Sequence, residues 1–418
     1  MINKKNENKK SRSKLVIFAT VGGSPLPVFI GLKFFADSHY KKFEQIDVYF
    51  IESRESNQFT TNIIETLNKE TVNSNLNFNR IVVDEKKIIL NKFKAKVEQV
   101  LNSLNYYTEI FFLFTSGTKN MVIDTLISLL NYKEVCLTNL SAELDKIIIK
   151  KIRNHQGILS LEESVSLPEN KKLSDIIDID LHIFSKLHNI EIVQINNNIA
   201  EDLLGKKELT EKLLSGYITI TKDKVLQQIE NEIRKKENVK QFFNLNETNS
   251  ELLSSFFEII SDLNLKKLVD NLIENNRKKE ILNLVEYLRG VWLEDFCFNL
   301  FLSTYNMKAR LYKNVVFKHK GRKAEIDVVI SEGFNLTVVS VTTSRSIGLI
   351  KLKLFEVLHR ANQIGGMHSM IFLVTLLEKW QVEQLKRDIS QFELKKRIKI
   401  IGKEEIVVTY NEKQTSKK

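Results

Sequence analysis

Cysteine is nearly absent: Cys136 and Cys297 are the only two in 418 residues, and they lie far apart with no metal-ligand spacing. A disulfide scaffold is not expected, and a reducing, cytoplasmic setting is. No apolar run approaches the roughly 20 residues a membrane span needs, so no membrane partner is expected. The first residues, MINKKNENKKSRSK, lack the apolar core of a signal peptide and read as a basic disordered tail over 1–14. No proline follows Pro168, which leaves the later helices uninterrupted. Internal repeats and long low-complexity runs are missing too.

Charge is plentiful and unevenly placed. The net charge is +11, of which +9 falls on residues 286–418 and +5 on residues 1–14, while the remainder is slightly acidic. A basic C-terminal region suits a polyanion such as nucleic acid. The competing reading is a chain that is simply rich in lysine.

The first 150 residues alternate between short apolar strands and periodic helices. KLVIFAT (14–20), IDVYFIES (46–53), FNRIVVD (78–84), EIFFLFTSGT (109–118) and EVCLTNL (134–140) are the strands. This alternation predicts a parallel, doubly wound sheet over 15–175, with edge strands and loops in 141–175. Residues 176–280 are charged and helical in pattern and read as a connector. From 281 the order becomes helix, paired strands, strand, helix, strand: an α/β/α sandwich.

In open parallel sheets, ligands sit beyond the carboxyl ends of the strands. Two such ends carry suitable loops. One is Thr20-Val21-Gly22-Gly23-Ser24-Pro25; the other is Thr115-Ser116-Gly117-Thr118-Lys119. Glycine lets a phosphate approach the backbone, the helix start favours an anion, and Lys119 adds a full charge. Taken alone, Val-Gly-Gly-Ser-Pro is better read as a plain turn. The Thr-Ser-Gly-Thr-Lys run resembles the strand-four signature of CARF domains, with Ser116 in place of a usual glycine. The resemblance implies a Rossmann-like domain that senses cyclic oligoadenylates, with cyclic tetra-adenylate the expected activator. It also implies a homodimer binding the ligand across its two-fold axis. Gly22, Gly23, Ser24, Pro25 and Thr115 to Lys119 would line the pocket.

The C-terminal part resembles the PD-(D/E)xK, restriction-endonuclease-like domain of CARF-fused CRISPR ancillary nucleases. The residues that carry it are Gly290-Val-Trp-Leu-Glu294, Glu325-Ile-Asp327, strand 336–343 and Gly365-Gly366; DIDLHIFSKLHNIEIVQ is similar as well. The resemblance implies a site for Mg²⁺ or Mn²⁺ on Asp327, Glu294 and Glu325, where the metal activates water at a phosphate. Glu325 and Asp327, two apart on a strand, share a face. The motif's Glu-x-Lys falls on Ser340 and Thr342, neither charged. Three readings stay open: a dead site, a cation supplied by Arg345, Lys351 or Lys353, or a different register.

Residues 308–323 carry Lys308, Arg310, Lys313, Lys318, Lys320, Arg322 and Lys323 and no acid. They suit a phosphate-backbone track, or else a lysine-guarded strand edge. Tyr305 and Tyr312 could stack on bases or pack in the core. His359 and His368 read as helix-end or core histidines, and Trp292 as a packing anchor. The whole implies an effector of type III CRISPR defence acting on nucleic acid. The alternative is a catalytically inactive, ligand-gated regulator that binds nucleic acid or protein.

Overall fold

The computed structural model describes residues 13–416, except 40–42, 72–75, 84–89, 104–108, 133, 142–143, 156–157, 166–170, 196–206, 245–249, 306–307, 367–368 and 391–396. Most of the expected tail, and His368, lie outside these. The tail's last two residues are strand instead: β1 spans Ser13–Val21, and Lys14 Nζ pairs with Asp47 Oδ2 at 2.5 Å on the neighbouring strand.

The first sheet has seven strands in the order β3-β2-β1-β4-β5-β6-β7. They are β1, β2 (Phe43–Ser53), β3 (Leu76–Val83), β4 (Glu109–Leu113), β5 (Glu134–Ser141), β6 (Lys146–His155) and β7 (Ile158–Val165). The first five are parallel, and β6 and β7 complete the sheet antiparallel. Helices α1 (Leu26–His39), α2 (Asn57–Glu70), α3 (Leu90–Asn102) and α4 (Lys119–Leu129) make the crossovers. Leu15 to Ala19 are all fully buried, as a central parallel strand covered on both faces requires. Winding reverses between β1 and β4, so the topological switch point lies between these two strands.

The helical connector expected over 176–280 is interrupted early. After the short α5 (Leu181–Leu187), Glu191–Ile195 forms β8, which covers the edge of the second sheet. Ile192, Gln194 and Ile195 pair there with Phe317, Val316 and Val315, with a register shift between Ile192 and Gln194, and that pairing overrides the surrounding helical pattern. Helices α6 (Lys207–Leu214), α7 (Ile220–Lys235), α8 (Val239–Asn244), α9 (Ser250–Asp262), α10 (Lys266–Glu274) and α11 (Lys278–Glu286) follow. They form a layer on the second sheet, and their apolar faces share one core with Val328, Ile330, Val339 and Val341 of that sheet.

A five-residue π turn, Tyr287–Val291, leads into α12 (Trp292–Leu302). The second sheet has the order β13-β12-β11-β10-β9-β8. Its strands are β9 (Arg310–His319), β10 (Arg322–Glu332), β11 (Asn335–Thr342), β12 (Met370–Thr375) and β13 (Ile398–Ile401). Helices α13 (Ile347–Gly365), α14 (Lys379–Ser390) and α15 (Lys403–Ser416) complete this unit. The opposite face of the sheet, through Phe317, Val338 and Leu354, shares a continuous core with Phe29, Leu113 and Phe35 of the first unit. Buried Leu181, Phe184 and Leu187 of α5 lie in that same core, and Asn62 Nδ2 of α2 donates to Lys186 O at 2.8 Å. Among the described residues, no helix is long and apolar enough to cross a membrane.

Candidate functional site

Two places gather functional groups. The first is the switch point, where both predicted loops meet. Ser116 joins them: its hydroxyl donates to Ser24 O at 2.9 Å and accepts from Gly22 N at 3.0 Å. Thr20 Oγ1 donates to Ser116 O. The approach is close enough that a Cβ on Gly22 would stand 2.7 Å from Gly117 N. Gly117, with φ +96°, occupies the left-handed region that glycine tolerates. Ser116 therefore ties one loop to the other.

The remaining loop residues divide between scaffold and surface. Pro25 is buried, and its carbonyl accepts from Phe29 N at 3.0 Å, so it starts α1 rather than facing a pocket. Thr118 caps α4 by accepting from Met121 N, and Thr115 Oγ1 accepts from Leu140 N at 3.4 Å. Gly23 and Lys119 are exposed, and Gly23 has open space where a side chain would be. The rim thus offers glycine backbone, Ser24 and one ammonium beside a helix start, a set suited to a phosphate-bearing ligand.

The second place is the end of β10 and β11. Their ladder runs from Glu332/Asn335 to Val328/Val339 and stops. One step further, the Asp327 carboxylate reaches across and accepts from Val341 N at 2.6 Å and from Ser340 Oγ at 3.4 Å. Lys353 of α13 stands 3.3 Å from the same Oδ2 and also donates to Val341 O. Of the three cations proposed to reach back, Lys353 does so. Lys351 pairs with Asp388 at 2.6 Å, and Arg345 donates to Gly216 O at 3.2 Å.

Glu294 enters from α12, one turn after the π turn. Burial above all, then the charge of Asp327, pushes its pKa up to about 7. It can hold or release a proton near neutrality, which suits general acid–base work. Glu325 is exposed, and it is its backbone oxygen that is engaged, by Arg360 of α13. Ser340 is buried, and Thr342 Oγ1 accepts from Ser344 N at 3.1 Å. Among the described residues, no group of three or more His, Cys, Asp or Glu stands close enough to hold a metal ion. With Lys353 on Asp327 and Glu325 exposed, the three acids as arranged do not gather into a site that fits Mg²⁺ or Mn²⁺.

The expected basic track is mostly neutralised. Lys308 pairs with Asp175 at 3.4 Å, Arg310 with Asp178, and Lys318 with Glu191 at 3.7 Å. Lys313 is buried in an ion pair with Asp295. These acids come from the segment that docks on β9, and from α12, so adjacency in sequence could not reveal them. Lys320, Arg322 and Lys323 stay exposed at the hairpin tip. Tyr305 and Tyr312 pack against the two cores, and Trp292 is buried, as a packing anchor should be. His359 is bonded to Gln363 on the surface of α13. Sequence reasoning missed Asp295, Arg360 and His188, none of which sits in a recognisable spacing.

No protein-family model matches the chain, and no curated protein does. Solved structures do resemble it. Protein VC1899 from Vibrio cholerae is 13% identical with a TM-score of 0.61, covering 95% of this chain and 96% of its own. Can2 from Sulfobacillus thermosulfidooxidans, solved in complex with cyclic tetra-adenylate, is 11% identical with a TM-score of 0.53, covering 92% and 95%. At these identities the fold is what is shared, and it is shared across both units.

Proposed function

We propose that the chain is a cyclic-oligoadenylate-sensing effector of type III CRISPR defence, with cyclic tetra-adenylate as its ligand. The observation that carries this is the pair of loops bound together by Ser116 at the switch point. The full-length likeness in fold to a protein solved with cyclic tetra-adenylate supports it. The first unit, through residue 175, is the CARF-like sensor. Ile123 and Ile127 leave 52% and 48% of their surface exposed one turn apart on α4. A two-fold axis there would bring two Thr-Ser-Gly-Thr-Lys loops together around one cyclic ligand. The resulting homodimer is tested by Ile127→Glu, which should shift the sedimenting species to a monomer.

The second unit is read as PD-(D/E)xK-like and acts on nucleic acid. Lys353 supplies the cation that Thr342 cannot, and Glu294 supplies a carboxyl poised near neutrality. Because the acids do not fit a metal as they stand, no step is assigned to one. A second reading is favoured by uncharged Ser340 and Thr342: a ligand-gated regulator that binds nucleic acid or protein without cutting.

One experiment decides between them. Pure protein is incubated with cyclic tetra-adenylate, Mn²⁺ and labelled single-stranded RNA, single-stranded DNA or supercoiled plasmid. Cleavage that vanishes in Asp327→Ala establishes the nuclease. Intact substrates with retained ligand binding establish the regulator. No calorimetric binding of cyclic tetra-adenylate sinks both.

A further inference from the structure

One buried polar atom is left over where the two units meet. His188 closes the C-terminal end of α5, is 7% exposed, and has Nδ1 3.0 Å from Phe184 O. A carbonyl oxygen can only accept, so Nδ1 carries the proton. Burial lowers the ring's pKa and keeps it neutral, which leaves Nε2 as a bare acceptor. Among the described residues Nε2 has no hydrogen-bond partner. A buried acceptor without a partner is costly, so a donor brought to it would be well rewarded.

Gly366 shows which donor is at hand. A Cβ on this residue would stand 3.4 Å from Ser24 Oγ and 3.5 Å from His188 Nε2. The ligand-loop hydroxyl and the unpaired acceptor therefore flank one glycine, whose φ is +71°. That glycine caps α13, the helix that places Lys353 on Asp327 and Arg360 on Glu325 O. On its other side Ser24 is tied through its carbonyl to Ser116. A short run of contacts thus joins the two candidate sites: Ser116, Ser24, Gly366, α13, Lys353, Asp327.

We propose that His188 is a positioning residue: when ligand fills the switch-point loops, Ser24 donates to His188 Nε2 and the closed latch draws on the end of α13. The contact is open in the structure described, and closing it moves the helix that carries Lys353. The identity of the ligand rests on the proposed function; the latch rests on the geometry of His188, Ser24 and Gly366.

The test uses full-length protein and cyclic tetra-adenylate. In nitrogen-15 spectra of the histidine rings, the Nε2 signal of His188 should move upfield on ligand addition in the wild type. It should stay in place in Ser24→Ala. By calorimetry, His188→Phe should bind about fivefold more weakly, the equivalent of one net hydrogen bond of about 1 kcal/mol. His188→Gln, which keeps an acceptor at a similar reach, should bind within about twofold of wild type. Binding without any Nε2 shift overturns the latch and leaves the sensor reading intact. Absence of binding overturns both. The spectra of the wild type need no variant to fold.

Discussion

The two candidate sites sit at comparable places, each at the end of a central strand pair, and are built from opposite materials. The switch point is made of glycine backbone and short hydroxyls held by neutral hydrogen bonds. The β10–β11 end is made of long charged side chains, reaching from α12 and α13 onto Asp327. The first arrangement is neutral, so it responds little to pH or salt. The second depends on burial, because desolvation is what lifts the Glu294 carboxyl and lets the charges around it act strongly. Each is therefore broken by a different kind of change.

Substitutions at the two places can break this contrast or sharpen it. The largest effect is expected at the switch point from Gly22→Ala. Its Cβ would meet the Gly117 backbone, which cannot rotate away. Parting the loops should cost about 1–3 kcal/mol and weaken cyclic tetra-adenylate binding by about 10- to 100-fold in calorimetry. Unchanged affinity would show that the loops do not need their close approach.

Glu294→Gln probes the charged place next. Glu294's pKa is raised on folding, so the folded state holds its proton more tightly than the unfolded state does. Stability from this carboxyl is present in acid and lost as pH rises towards about 7. The glutamine variant, free of that loss, should gain on the order of 2 kcal/mol at pH 8 and nothing at pH 4 in denaturant titrations. Equal gains at both pH values would remove burial of charge as the cause. Asp327→Asn should cost about 1–2 kcal/mol at pH 7, since Val341 N–H and Lys353 lose a charged acceptor. The smallest effect should come from Lys308→Ala, whose partner Asp175 is exposed: at most a few tenths of a kcal/mol by thermal unfolding. A larger loss there would mean that the segment around Asp175 is held by charge rather than by its apolar residues.

The same contrast explains what the sequence makes legible. Alternating strands and helices expose the doubly wound sheet, and the glycines mark loops at its strand ends; that the two loops touch, with no room for a Cβ on Gly22, shows only once the strands are paired. Asp327 and Glu294 are picked out by the resemblance of their segments to a nuclease motif, since a pair of strand acids on its own reads as surface. The partners are another matter. Lys353 lies 26 residues beyond Asp327 in the chain, and its arrival depends on how α13 packs. Lys313 reads as a surface cation among six others until β9 turns it inward to Asp295. Strand β8 escapes notice because five residues carry little pattern; the bare edge of β9 decides its fate.

The core that runs unbroken from Phe29 through Phe184 to Phe317 has an evolutionary and practical consequence. Fused units are easily pictured as interchangeable cassettes, yet here residues 171–195 serve both at once. Leu173 N is held by Asp145 O of the first unit, Ile179 N by Gly333 O of the second, and β8 is a strand of the second sheet. Any chimera joined inside this stretch would expose aromatic surface on both products. Recombination that preserves function has to exchange the two units together, or carry this shared stretch along with whichever one is moved.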